Sequence, residues 1–358
     1  MRPDASSSHV STLPSPAGYW AVSAGAYRVL FHKRGMLAAL GLIVALVMLA
    51  GLSLAYGTAD LGPLGALQAI VGEGEPRQVF LIQELRLPRL AAGLLSGAAL
   101  GVAGCLLQTL AHNRLATPGI IGIDDGASAF AVASIIAVPT SLAPSALALM
   151  GAATATALVF GLSGGAGSKG YRFIVVGIAV GAVFGALTNL MLARSDMDSA
   201  NLAYPWTVGS LNARPALAVW LLAMGVLVCL PIAKYLGRAL NVLRFSEPVA
   251  VGLGVSLRRT RVLTLIVTVV LTALGVAVVG PVGLIALAAP EMARQLAGRQ
   301  GVPIMGSAFS GALLMGLADW VGRSVFVPIE IPVGVITAVV GGPYLLWILL
   351  RRPDRRIG

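Results

Sequence analysis

Long runs without a single charged residue recur along this chain, and they leave it few ways to fold. Gly35–Ala55, Ala129–Ser168 and Val262–Ala289 contain no Asp, Glu, Lys or Arg. A helix needs about 20 apolar residues to cross a bilayer, so the longer runs hold two crossings joined by a Gly/Pro turn. With 57% hydrophobic and 11% charged residues, nothing is left over for a sizeable soluble module. The expected fold is all-α: a polytopic membrane protein forming one integrated domain. Its 44 glycines, together with abundant alanine, let helix backbones approach closely in lipid. The first run is not a cleaved signal peptide, because a polar tail precedes it and no small-residue cleavage site closes it. Cys105 and Cys229 both lie inside apolar runs and read as small packing residues rather than a disulfide or a metal site.

Ten crossings are expected, near 36–56, 87–109, 118–138, 144–162, 172–193, 216–236, 262–280, 283–297, 303–322 and 332–350. Residues 1–35 form a tail rich in Ser and Pro that is expected to be disordered. Residues 36–350 form the membrane domain, and 351–358 a basic tail. With the N-terminus in the cytoplasm, nineteen of the 25 Lys and Arg fall inside and six outside. The positive-inside rule supports that orientation, and an even number of crossings puts both termini in the cytoplasm. The net charge of +11 therefore reports topology and contact with membrane lipid, not a nucleic-acid partner.

Acidic residues collect outside, and few lie deep in the membrane. Asp319 falls near the outer end of the ninth crossing, and Asp124 and Asp125 near the inner end of the third. Ion-coupled carriers usually keep ionisable residues near mid-membrane. No convincing set is present here, which points to an energy source elsewhere. Nor does the chain carry a Gly-x-x-x-x-Gly-Lys-Ser/Thr phosphate loop; Gly161–Gly170 is glycine-rich but lacks the Lys-Ser/Thr. The chain is not expected to hydrolyse ATP, and no cofactor or metal site is expected in it. His112 has no Cys or second His nearby.

Two segments carry most of the functional signal. Arg86-Leu87-Pro88-Arg89 opens the second crossing. Pro88 suits a first helical turn, so both cations are expected at a helix N-terminus, each opposed by the dipole at a cost of about 0.3–1 kcal/mol. Spaced three apart they share a face, which suggests an outside partner bearing carboxylates; the alternative is a snorkelling pair that anchors the interface. The second segment is the large inside connection 234–261. Ser246 can cap a short helix with Pro248 in its first turn and Gly252 near its end, and a second short helix is expected after Gly254. Such a loop reads either as a docking surface or as a basic loop held by lipid head groups.

Taken in order, several segments resemble one family: the permease subunits of type II ABC importers for ferric siderophores, haem and vitamin B12. They are Arg86–Arg89 with Gly97–Gly101 and Gln108, His112–Gly122 with Gly126-Ala127, Trp206 with Gly209-Ser210-Leu211, Ala250–Val255, Gly280–Pro290, Ala318-Asp319, and Glu330–Ala338 with Gly341-Gly342-Pro343. The resemblance spans about residues 36–350. Two departures stand out. The family usually has Pro where this chain has Arg114, and His where it has Glu291.

The resemblance implies a ten-helix subunit in the cell inner membrane, paired with a second copy or a homologous permease around a central pathway. Two cytoplasmic ABC ATPase subunits, which use ATP and Mg, would dock below, and a periplasmic or lipid-anchored solute-binding protein above. Carried over residue by residue, Arg86, Arg89 and Arg323 would meet glutamates of the binding protein. For Arg323 the alternative is an ion pair with Asp319 four residues earlier. The ATPase contact would fall on Glu247, Pro248, Val249, Val251, Gly252, Leu253, Gly254, Arg258 and Arg259.

The translocation path is weakly marked. Ser96, Gln108, Thr188 and Asn189 are candidates, each equally readable as an interhelical hydrogen bond. Tyr204 and Trp206 read as interface-belt aromatics. The implied cargo is a ferric siderophore, with haem, cobalamin or an oxyanion as alternatives, and an ion-coupled secondary carrier is the rival of a different class.

Overall fold

The computed structural model describes residues 18–24, 27–56, 61–136, 144–164, 170–298, 301–325 and 329–350. A short hairpin, β1 (Tyr19–Ala24) and β2 (Tyr27–His32), pairs antiparallel with Tyr19 opposite His32. It occupies part of the stretch whose composition suggests disorder; residues 1–17 and the basic tail 351–358 lie outside the described residues. The hairpin leads directly into α1 (Lys33–Ala55), whose first turn is capped by His32, the ring nitrogen accepting from Gly35 N at 3.2 Å.

Then come α2 (Gly62–Val71), α3 (Pro76–Phe80), a π-helical turn (Leu81–Arg86) and α4 (Leu87–Leu110). A 3₁₀ turn (Pro118–Ile121) precedes α5 (Ile123–Ile136), followed by α6 (Pro144–Ser163) and α7 (Gly170–Arg194). Two short helices, α8 (Met197–Ala203) and α9 (Pro205–Val208), lie between α7 and α10 (Ala216–Leu243). The chain ends with α11 (Glu247–Gly252), α12 (Leu257–Val279), α13 (Gly283–Ala297), α14 (Ile304–Ser324) and α15 (Val333–Leu350). Each expected crossing coincides with a helix. Seven helical runs are long and apolar enough to span a bilayer; α5, α13 and the described part of α15 are shorter.

The helix that begins the second crossing does not start at Arg86. A continuous helical run extends over Pro76–Leu110, so Arg86 and Arg89 sit within it and the expected dipole penalty does not apply. The reason lies in Pro88, which has no N–H to donate to the carbonyl four residues earlier. A π-helical turn immediately upstream absorbs that missing bond without breaking the helix. The inside connection is also tighter than its sequence suggests. Helix α10 runs on to Leu243 and α12 begins at Leu257, so a single short helix, α11, lies between them. The residues after Gly254 lead straight into α12 rather than into a second surface helix.

Helix α4 is the centre of the bundle, packed against α10, α12, α13 and α14. Fifteen of its 24 residues are buried, against eight of the 28 in α10. Gly97, Gly101 and Gly104 make this possible. A Cβ on them would collide with the carbonyls of Gly311, Ser307 and Ala286 respectively. Recurring at near-helical spacing, they form one smooth stripe against which α13 and α14 lie backbone to backbone, the small-residue packing that stabilises helix pairs in lipid. A second layer of α5, α6 and α7 packs alongside through Gly126 and Gly151. By contrast α10 shows Leu217, Trp220, Leu221, Met224, Leu227 and Val228 outward, a face suited to acyl chains. Cys105 and Cys229 are buried and free.

Candidate functional sites

At the outer end, the π-helical turn, α4 and α14 bring Arg86, Arg89 and Arg323 onto one cavity, with Asp319 paired to Arg89 and Arg323. Arg89 Nη2 lies 2.9 Å from Asp319 Oδ1, and its Nη1 lies 2.9 Å from Glu330 Oε2. Arg323 Nε lies 3.5 Å from Asp319 Oδ2, and its Nη2 donates to the Ser53 carbonyl at 2.8 Å and to the Ser53 hydroxyl. Arg86 Nη1 donates to the Leu54 carbonyl at 2.5 Å. The three arginines therefore cluster, as the sequence suggests, and are also tied into the subunit. Asp319 is buried between two guanidiniums and serves as their counter-ion.

The same outer cavity, about 230 Å³, is lined by Arg86, Arg89 and Arg323 and also by Glu84, Glu330 and Arg214. Arg214 follows α9 in a connection whose function sequence reasoning missed. Its guanidinium lies 4.0 Å from the centroid of the Trp206 ring, and its Nε donates to the Ser210 carbonyl at 2.9 Å. Trp206 is buried beneath it, so it is not a belt residue; Tyr204, half exposed, still suits that role. The pairing of an outside Arg with a Trp eight residues earlier is the signal that could have found the site.

At the inner end, Glu291 on α13 is the hub of a second charged cluster. It accepts from Arg294 Nε at 3.0 Å and Gln295 Nε2 at 3.4 Å, and lies 3.7 Å from Arg114 Nη1. Arg294 in turn donates to Gln108 Oε1 at 2.6 Å, while Gln108 Nε2 reaches the Ala286 and Leu287 carbonyls at 3.4 Å. Gln108 is thus committed to tying α4 to α13. Among the other path candidates, Ser96 and Thr188 are buried in helix packing, Thr188 donating to the Phe184 carbonyl, and Asn189 is exposed on α7.

At the inner end, α11 packs on the ends of α10 and α12. Ser246 caps it, accepting from Val249 N at 3.4 Å, and Pro248 occupies the first turn. Ala250 is buried against the bundle while Val249, Val251 and Leu253 are exposed, an apolar crown with no cover among the described residues. Gly252 continues the helix, and Gly254, with φ +82°, makes the turn that L side chains rarely adopt. Glu247 pairs with Arg261, binding α11 to the start of α12, and Arg258 and Arg259 are exposed beside it.

The chain matches the family model described as the FecCD transport family over residues 43–351. Among curated relatives, the ferric enterobactin transport system permease protein FepG of Escherichia coli (strain K12) is 32% identical, covering 92% of this chain and 100% of FepG. FepD, a second permease protein of the same E. coli system, is 35% identical over 87% of this chain and 94% of its own. The Fe(3+)-citrate import system permease protein YfmE of Bacillus subtilis (strain 168) is 36% identical, over 89% and 96%. A solved structure, described as an inward-facing conformation of a metal-chelate type ABC transporter, superposes with a TM-score of 0.76 at 27% identity, covering 89% of this chain and all of that one.

Proposed function

The chain belongs to the FecCD transport family, and we propose that it is the permease half of an importer moving a ferric siderophore across the inner membrane by ATP-driven alternating access. As a member of that family it is a multi-pass, non-enzymatic membrane subunit of an ABC transporter. The observation that carries the cargo reading is full-length similarity to permeases named for ferric enterobactin and Fe(3+)-citrate. Two permeases of one E. coli system are both related to this chain, which supports pairing with a homologous second permease around a shared pathway.

In this reading two ATPase subunits, using ATP and Mg, grip the apolar crown of α11 through Val249, Val251 and Leu253. Pro248, Gly252 and Gly254 shape the element, and Arg258 and Arg259 form its basic rim. The ion pair between Glu247 and Arg261 delivers displacement of α11 to the start of α12. Helix α12 then acts as a stiff rod of about 34 Å, from its 23 residues at about 1.5 Å each. Its far end is joined to the outer loop, Ser210 N donating to the Val279 carbonyl at 2.7 Å. A binding protein docked on Arg86, Arg89 and Arg323 would sit above that same end.

The test is reconstitution of the chain with its partner permease, ATPase subunits and binding protein in liposomes, followed by uptake of radiolabelled iron chelates. ATP-dependent accumulation of a ferric siderophore is expected. Uphill accumulation by vesicles holding the permease without ATPase subunits would refute the reading.

A further inference from the structure

We infer that Arg214 is an additional docking residue, whose guanidinium receives a carboxylate side chain of the binding protein in the outer cavity. The inference rests on the docking role proposed for the outer arginines and adds a residue that role does not include.

Unlike Arg89 and Arg323 in that cavity, Arg214 pairs with no carboxylate among the described residues. Arg89 is paired with Asp319 and Glu330, and Arg323 with Asp319 and Ser53. Arg214 makes one hydrogen bond among the described residues, from Nε to the Ser210 carbonyl, and its Nη2 is buried without a partner. Burial pushes its pKa down to about 10, so it still carries a full charge at neutral pH. This charge has no carboxylate beside it among the described residues, and a carboxylate entering the cavity is the group that best compensates it.

The side chain is also pre-placed. The ring of Trp206 supports its face at 4.0 Å, a favourable cation–π geometry. Ala213 before it has φ +51°, a left-handed turn uncommon for alanine. The loop is pinned at two further points. Ser210 N bonds the Val279 carbonyl at 2.7 Å, and Gly334 N bonds the Gly209 carbonyl at 3.2 Å. A group bound to Arg214 therefore pulls on a loop attached to the ends of α12 and α15.

Size selects the occupant. The cavity of about 230 Å³ is smaller than the roughly 300–1,000 Å³ that enclose drug-sized ligands. That volume suits one Asp or Glu side chain.

The experiment measures the affinity of the nanodisc-embedded transporter for its ferric-siderophore-loaded binding protein, using Arg214→Glu, Arg214→Gln and the double variant Arg86→Glu with Arg89→Glu. Basal ATPase activity and co-purification of the ATPase subunits serve as the check on folding. Arg214→Glu is expected to weaken binding on the order of tenfold or more, and Arg214→Gln less, with basal ATPase unchanged. A Glu→Arg substitution on the binding protein should restore affinity specifically for Arg214→Glu. If the double variant abolishes binding while both Arg214 variants bind like the parent, the inference fails and the docking role of the other arginines stands. If neither the double variant nor Arg214→Glu changes affinity, both fail. Should Arg214→Glu lose its ATPase subunits, Arg214→Gln decides alone: parental affinity overturns the inference, and weakened affinity with intact assembly supports it.

Discussion

Arg114 and Glu291 lie 3.7 Å apart across the α4–α5 connection and α13. The two charges answer each other, but not equally. The Arg114 side chain is 60% exposed, whereas that of Glu291 is 11% exposed and also holds Arg294 and Gln295. Removing Glu291 strands a partly buried guanidinium. Glu291→Gln is therefore expected to cost about 2 kcal/mol or more, and Arg114→Ala less than about 1 kcal/mol, read as unfolding of the purified transporter in nanodiscs. Exchanging the two charges should not restore stability, since the relocated cation would face Arg294. Full recovery by the exchange would show that Arg114 and Glu291 act as an isolated pair.

The outer cluster makes a prediction of opposite sign. Arg89 is shared between the buried Asp319 and the exposed Glu330. If Arg89 docks a glutamate of the binding protein, Glu330 competes with that partner. Glu330→Gln should then tighten the complex by up to about fivefold, the scale of one exposed ion pair. Asp319→Asn should instead destabilise the outer end by about 3 kcal/mol, because Arg89 and Arg323 both lose their buried counter-ion. Affinity measured by biolayer interferometry separates the two; weaker binding after Glu330→Gln would argue that Glu330 positions Arg89 rather than competing for it.

Hydropathy alone marked the seven helices long and apolar enough to span a bilayer, because lipid-facing helices such as α10 must be apolar along their length, but it missed how far α10 and the run before α4 extend. Ser246 and Pro248 announced α11 for a local reason as well: capping is written within one turn of chain. What escaped was non-local. The π-helical turn before Pro88 depends on how α4 continues back through α3, and the pairing of Arg114 with Glu291 joins residues far apart in sequence. For Gln108 the sequence left a path residue and an interhelical hydrogen bond equally open, because only its distant partners, carbonyls of α13, could separate them. Arg214 went unread because its meaning lies in the tryptophan beneath it.

The two glycines of the coupling element should behave differently. A Cβ on Gly252 meets nothing within 4 Å, so Gly252→Ala is expected to leave ATPase co-purification unchanged. Gly254 has φ +82°, and Gly254→Val should cost on the order of 1–2 kcal/mol locally and tilt the crown of α11. Val251→Asp with Leu253→Asp, which alters the crown without touching the turn, should release the ATPase subunits during size-exclusion chromatography. Retention of the subunits by that double variant would move the coupling contact away from α11.

The glycine stripe on α4 sets the spacing on which the inner cluster depends. Gly104 lies directly against the Ala286 carbonyl, one helical turn from where Gln108 reaches the same carbonyl. Gly104→Val must push α13 away from α4, breaking the Gln108 bonds and shifting Glu291 and Arg294 with them. Overpacking of this kind costs about 1–3 kcal/mol in well-packed cores, and here the obstacle is backbone, which cannot rotate aside. The expected outcome is a sharp drop in assembled transporter recovered from membranes and a lowered melting midpoint. Gly161→Val on α6, where a Cβ meets nothing within 4 Å, is the matched control and should assemble like the parent. Equal yields from the two variants would mean that α4 and α13 have slack between them and that the stripe is not what holds the inner cluster in place.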